Sequence, residues 1–298
     1  MIGALADEVD EVAARYESEL SATLLAEAAQ LHASLTVRLG HNGSEHARRL
    51  LHQAITSSAA LLGQLVWDAS GRRDGVAAAV YCDVAIEHAM ACGDRAAVAN
   101  AELRKAYVSL YGPADDRDPR MGLARSTTAA EHSRGISRAL HGVAQLHVAE
   151  AFGMLGEYRL CEQALGAAER AFDAMGPDDV AAEVYSPTQF GRLAGSCYLS
   201  LGHPERAESL LTGTLELLGG RRKTRSLVLG NLATCHIRRR QLDAATATLH
   251  EAIDLLEHGR GGAGMSVVFA AGRELYPWRG ETAVQDVHDR LLGLVARS

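Results

Sequence analysis

The chain has 298 residues, 47% of them hydrophobic but only 5% aromatic, and a formal net charge of −7. That length buries a substantial core, and an alanine- and leucine-rich interior with few rings suits packed helices better than a sheet sandwich. The negative balance argues against a protein that coats nucleic acid or anionic membrane by bulk charge.

The amino terminus, "MIGALADEVDEVAARYESEL", is acidic and amphipathic, unlike a secretory leader, whose basic start precedes an apolar stretch. No apolar run approaches the roughly 20 residues of a membrane span. Five cysteines, Cys82, Cys92, Cys161, Cys197 and Cys235, are dispersed without a CxxC pair, which fits reduced thiols in a soluble, cytoplasmic protein. From there to the carboxyl end, apolar residues recur at three- and four-residue spacing and strand signals are nearly absent. Breaks fall at "LGHNGSE", "SGRRDG", "CGDR", "YGPADDRDP", "LGE", "MGPDD", "LGHPE", "LGGRR" and "HGRGGAG". Most place glycine after an apolar residue, as a helix end requires, and then an acidic or amide residue suited to the next start. The expected fold is all-α, with roughly a dozen helices in antiparallel neighbours.

A repeat separates this pattern from an ordinary bundle. Turns at Gly156, Gly202 and Arg240 lie 46 and 38 residues apart. Seven residues before each stands a small residue (Ala149, Gly195, Ala233), and four before, a ring (Phe152, Tyr198, His236). Five after comes another small residue (Cys161, Ala207, Ala245), and four further on, a leucine (Leu165, Leu211, Leu249). Small residues let two helices approach closely, while rings and leucines fill the space above and below.

This arrangement resembles the tetratricopeptide repeat, whose period is about 34 residues. The resemblance implies a right-handed α-solenoid of helical hairpins. It is clearest between residues 142 and 257 and weaker at Gly63, Trp67, Ala78, Tyr81 and Ala85, where the turn is lengthened; 94–134 holds another degenerate copy. The expected organisation is an N-terminal helical segment (1–43), degenerate repeats (44–134), better-formed repeats (135–260) and capping helices (261–298). The blocks "LLGQLVWDASGRRDGVAAAVYCDVAIEHAMACGDRA", "LHVAEAFGMLGEYRLCEQALGAAERAF" and "RELYPWRGETAVQDVHDRLLGL" are together similar to the sensor half of actinobacterial helix-turn-helix regulators. There a small DNA-binding domain precedes the array. No recognition helix is visible in these residues, so direct nucleic-acid binding is not expected of them.

In such repeats the first helix of each hairpin lines the concave groove. The groove-facing positions are then His147, Glu150 and Met154; Gln189, Arg192 and Ser196; and Leu227, Asn231, Thr234 and Arg238. Of these, His147, Glu150, Gln189, Arg192, Ser196, Asn231, Thr234 and Arg238 are the candidate ligand contacts. Asn231 has a donor and an acceptor, which suits a peptide backbone. The expected ligand is a peptide, a protein segment or a small metabolite. Two basic runs, Arg221, Arg222, Lys223 and Arg225, then Arg238, Arg239 and Arg240, are read as exposed solubilising charge, with an acidic partner as the alternative.

Metal and catalytic readings find no motif. His41, His46 and His52 are five and six residues apart, off the i, i+4 face of a helical zinc pair, and His132, His141 and His147 match no better. GxSxG, HExxH, P-loop and GxGxxG sequences are absent. The reading is therefore a non-enzymatic binding protein without metal or cofactor, an enzyme with dispersed site residues being the weakest alternative. Trp67 and Trp278 are read as packing anchors. The other alternative is a homodimer or partner-bridging scaffold, because Val284, Val287, Leu291, Leu294 and Val295 share one face of the last helix; capping of the final repeat is the plainer reading of that stripe. Residues 111–122, "YGPADDRDPRMG", are expected to form an exposed, mobile loop, since Pro113 and Pro119 interrupt a helix.

Overall fold

The computed structural model describes residues 2–41, 44–182, 185–258 and 263–296. Asn42 and Gly43 of the first expected break, and 259–262 of the last, lie outside the described residues. Among the described residues there are fourteen α-helices and no strand. They are α1 (Ile2–Ala14), α2 (Ser21–His41), α3 (Glu45–Ala69), α4 (Gly75–Ala91), α5 (Arg95–Tyr111), α6 (Pro119–Ser133) and α7 (Arg138–Met154), followed by α8 (Tyr158–Asp173), α9 (Pro187–Ser200), α10 (Pro204–Leu217), α11 (Arg222–Arg238), α12 (Leu242–His258), α13 (Ala263–Glu274) and α14 (Thr282–Ala296). None of them is long and apolar enough to cross a membrane, and no disulfide links the five cysteines.

Local chemistry explains where the helices start and stop. Asp74, Asp94 and Asp118 each accept a hydrogen bond from the backbone N–H three residues on, at 3.0, 2.9 and 2.9 Å. That satisfies a donor that the first helical turn leaves unpaired. Pro119, Pro187 and Pro204 open their helices, where a missing N–H costs nothing. At the other end, Gly156, Gly202 and Arg240 all adopt left-handed φ, at 76°, 77° and 59°. In each case the next N–H bonds back to the ring-bearing residue: Glu157 to Phe152, His203 to Tyr198 and Gln241 to His236, at 2.9, 2.8 and 2.9 Å. The three expected turns are thus one structure built three times, and Arg240 holds the strained conformation without glycine.

The chain divides into two compact units, Met1–Ala151 with Glu162–Tyr185, and Phe152–Cys161 with Ser186–Ser298. In the first unit, α2 packs on α3, α3 on α4, α4 on α5 and α5 on α6. Its core gathers Leu24, Leu35, Leu51, Ile55, Leu62 and Leu65. Gly63 permits the α3–α4 approach, because a Cβ there would sit 3.0 Å from the Ala78 carbonyl oxygen. Trp67, Ala78 and Ala85 are buried, as packing roles require.

In the second unit, α9 packs on α10, α10 on α11, α11 on both α12 and α13, and α12 on α14. Ala207, Ala233, Ala245, Leu211 and Leu249 of the repeat signature are fully buried there. Val284, Val287, Leu291 and Leu294 join the same core, while Val295 stays 58% exposed. The apolar stripe of α14 therefore closes this unit.

The proline-bearing segment is shorter than 111–122. Tyr111 still belongs to α5 and Pro119 already belongs to α6. Between them lies a 3-10 turn at Ala114–Asp116; the Asp118 N–H bonds to the Ser109 carbonyl at 2.9 Å, and Arg117 Nε bonds to the Gly112 carbonyl at 2.9 Å. Residues 115–118 are exposed, as expected.

Candidate functional site

Six of the eight candidate residues lie in the second unit. Gln189, Arg192 and Ser196 are half-buried on α9, and Asn231 is half-buried on α11. Thr234 is 9% exposed, and its hydroxyl donates to the Gly230 carbonyl of its own helix at 3.1 Å. Arg238 is already engaged. Its guanidinium donates to the Leu199 carbonyl at 2.7 Å and to both carboxylate oxygens of Glu274, at 3.2 and 2.9 Å. It tethers the end of α11 to α9 and α13. Arg192, in contrast, has no hydrogen-bond or ion-pair partner among the described residues. The basic runs are largely absorbed: Arg225 pairs with Glu251 at 2.8 Å, Arg239 with Glu208, and Arg221 donates to the Ser186 hydroxyl at 3.2 Å.

The other two candidates, His147 and Glu150, lie in the first unit, each only 2% exposed. They are interior groups rather than members of a solvated strip. Tyr111 on α5 donates to Glu150 Oε2, and its oxygen lies 2.8 Å from His147 Nδ1, which is 3.0 Å from the same carboxylate oxygen. An ionised carboxylate only accepts, so Tyr111 and His147 Nδ1 both point hydrogens at it. The Tyr107 ring packs on the imidazole at 4.5 Å between centroids. His147 Nε2 is buried and has no hydrogen-bond partner among the described residues.

This trio continues into a larger network. The Arg72 guanidinium lies 5.8 Å from the Tyr111 ring centroid and 4.4 Å from that of Trp67, and Arg72 Nε is 3.8 Å from Asp68 Oδ1. Tyr16 donates to the other Asp68 oxygen; burial, and then the Asp68 charge, push the Tyr16 hydroxyl well above its ordinary pKa. On α5, Arg104 donates to the side-chain oxygen of Gln64 on α3. Gln64, Asp68, Arg72, Arg104, Tyr107 and Tyr111 were not among the candidates. A signal for them was present, since 104, 107 and 111 share one face of α5 and 64 and 68 share one face of α3.

Histidine chemistry is paired rather than clustered. His52 Nδ1 meets His88 Nδ1 at 2.8 Å, so one ring donates and the other accepts. Burial, then the neighbouring His52, hold His88 below its ordinary pKa.

With these elements in place, the chain is an all-α solenoid protein of tetratricopeptide-like helical hairpins. No family model matches it, and no curated protein matches it. Among solved structures, the crystal structure of a Rap protein complexed with competence and sporulation factor is similar to it, at TM-score 0.52 and 10% identity, covering 100% of this chain and 99% of that one. A likeness at that identity is a likeness of fold.

Proposed function

We propose that this chain is a non-catalytic, cytoplasmic binding module, the effector-sensing part of a transcriptional regulator, whose first helices bind a peptide, a protein segment or a small metabolite. The observation that carries this reading is a set of polar side chains carried by first helices in each unit. Gln64, Asp68, Arg104, Tyr107 and Tyr111 stand on α3 and α5 in one unit, and Gln189, Arg192 and Asn231 on α9 and α11 in the other. The Rap protein's complex with competence and sporulation factor supports a binding role for such a fold. Similarity of the sequence blocks to actinobacterial regulators supports the regulatory one. The dimer reading loses its main support, because four of the five apolar residues of α14 are buried in their own unit.

Selection from a random peptide library and a metabolite collection, read by thermal shift, tests the module. A bound ligand at a hundred times its Kd raises stability by about 2.7 kcal/mol. That gain should fall sharply in Arg192→Ala/Asn231→Ala and persist in Arg222→Ala, which alters an exposed cation. An undiminished gain in the double variant removes the α9–α11 face from the site.

A further inference from the structure

The network in the first unit is unusual in its orphaned nitrogens. Trp67 Nε1, Arg104 Nε and His147 Nε2 are all buried, and none has a hydrogen-bond partner among the described residues. Buried polar groups are ordinarily satisfied, so three in one connected network call for a common explanation. Trp67 Nε1 and Arg104 Nε are obligate donors, so their complement is an oxygen acceptor, whereas an imidazole that donates through Nδ1 accepts at Nε2, so His147 calls for a donor.

Charge narrows it further. Neighbouring charges find counter-charges: Arg72 faces Asp68, Lys105 faces Asp83, and Glu102 faces Arg125. Arg104 donates only to the neutral Gln64 amide, and among the described residues no carboxylate lies within ion-pair distance of it. A partly buried guanidinium without a counter-ion is costly, and a bound anion removes that cost. One uncompensated cation matches a single negative charge, and the planar fork of Arg104 matches a carboxylate. Tyr107, one turn along α5, carries this face across to the imidazole of His147.

We propose that the inner face of α5 in the first unit is a carboxylate subsite. Arg104 receives the carboxylate of the ligand, and His147 Nε2 accepts a hydrogen bond from an N–H or O–H of the ligand beside it, its ring oriented through Nδ1 by Glu150 and Tyr111. This rests on the binding-module reading and specifies one chemical group of a ligand held by the first unit.

The test observes the arginine Nε–H resonance of Arg104 by NMR, identified by its loss in Arg104→Lys. Acetate replaces chloride at constant ionic strength in the unaltered protein. A saturable shift of that resonance is expected, and acetate affinity read from the His147 ring resonances, present in both proteins, should fall on the order of tenfold or more in Arg104→Gln. A linear, unsaturable drift overturns the subsite, as does an equal acetate affinity in an Arg104→Gln variant of unaltered helicity. Saturation by inorganic phosphate but not acetate overturns the carboxylate assignment. Peptides carrying a free or an amidated carboxyl terminus then separate the sources: preference for the free acid assigns a chain terminus, and indifference, with acetate still binding, assigns a free small acid. If the subsite fails while the α9–α11 face still binds its selected ligand, only the Arg104 assignment is lost.

Discussion

Gly230 on α11 allows a quantitative test of how closely the helices of the second unit approach. A Cβ added there would lie 2.9 Å from Val267 Cγ1, 3.1 Å from the Val268 backbone nitrogen and 3.2 Å from the Val267 carbonyl carbon. Two of those atoms are backbone of α13 and cannot rotate away. Replacing glycine by alanine within a helix gains about 0.8–1 kcal/mol of propensity. Forcing a methyl into a filled interface costs roughly 1–3 kcal/mol. Gly230→Ala should therefore be destabilised by about 1 kcal/mol net. Gly213 on α10 supplies the control, being exposed with nothing within 4 Å of its added Cβ. Gly213→Ala should gain about 1 kcal/mol, so the two variants should differ by about 2 kcal/mol, with opposite signs. Urea unfolding followed by far-ultraviolet circular dichroism, with unchanged slopes, measures both. If Gly230→Ala stabilises as much as Gly213→Ala, α11 and α13 are not in this contact and the reasoning fails.

Arg240→Gly should stabilise the protein by about 1 kcal/mol, since a non-glycine residue is held at φ 59° in a turn where Gly156 and Gly202 serve elsewhere; a lower unfolding midpoint would contradict that. Asp179 accepts hydrogen bonds from the Ser137 hydroxyl and from the N–H groups of Arg138, Ala139 and Ala181. Burial raises its pKa, but these bonds outweigh it and hold the carboxyl below its ordinary value. Its stabilisation is therefore full above the unfolded-state pKa and is lost as pH falls through the folded-state value. Asp179→Ala should cost about 1–2 kcal/mol at neutral pH and progressively less in acid, and a loss independent of pH would refute the assignment.

Much of the scaffold was legible in the chain because its causes are local. A left-handed residue ends a helix by bonds to the preceding turn, so Gly156 and Gly202 marked their turns, and the surrounding spacing found Arg240 without a glycine. Small residues at fixed offsets mark close approach, and Ala207, Ala233 and Ala245 are buried accordingly. The α14 stripe likewise announced an apolar face, although what covers it was left open.

The candidate site was legible only in part, for a physical reason. Helical spacing tells which residues share a face but not what the face meets. The same periodicity that placed His147 and Glu150 on α7 could not reveal that Tyr111, 36 and 39 residues earlier, hydrogen-bonds with both, nor that both are buried. Nor could it show that Arg238 is spent on Glu274 and the Leu199 carbonyl while Arg192 is left without a partner in its unit. The all-α hairpin repeat follows from the sequence alone, because turns and small-residue contacts act over a few residues. Which charges are neutralised, and which buried nitrogens stay without a hydrogen-bond partner among the described residues, depends on helices distant in sequence, and only the tertiary structure decides it.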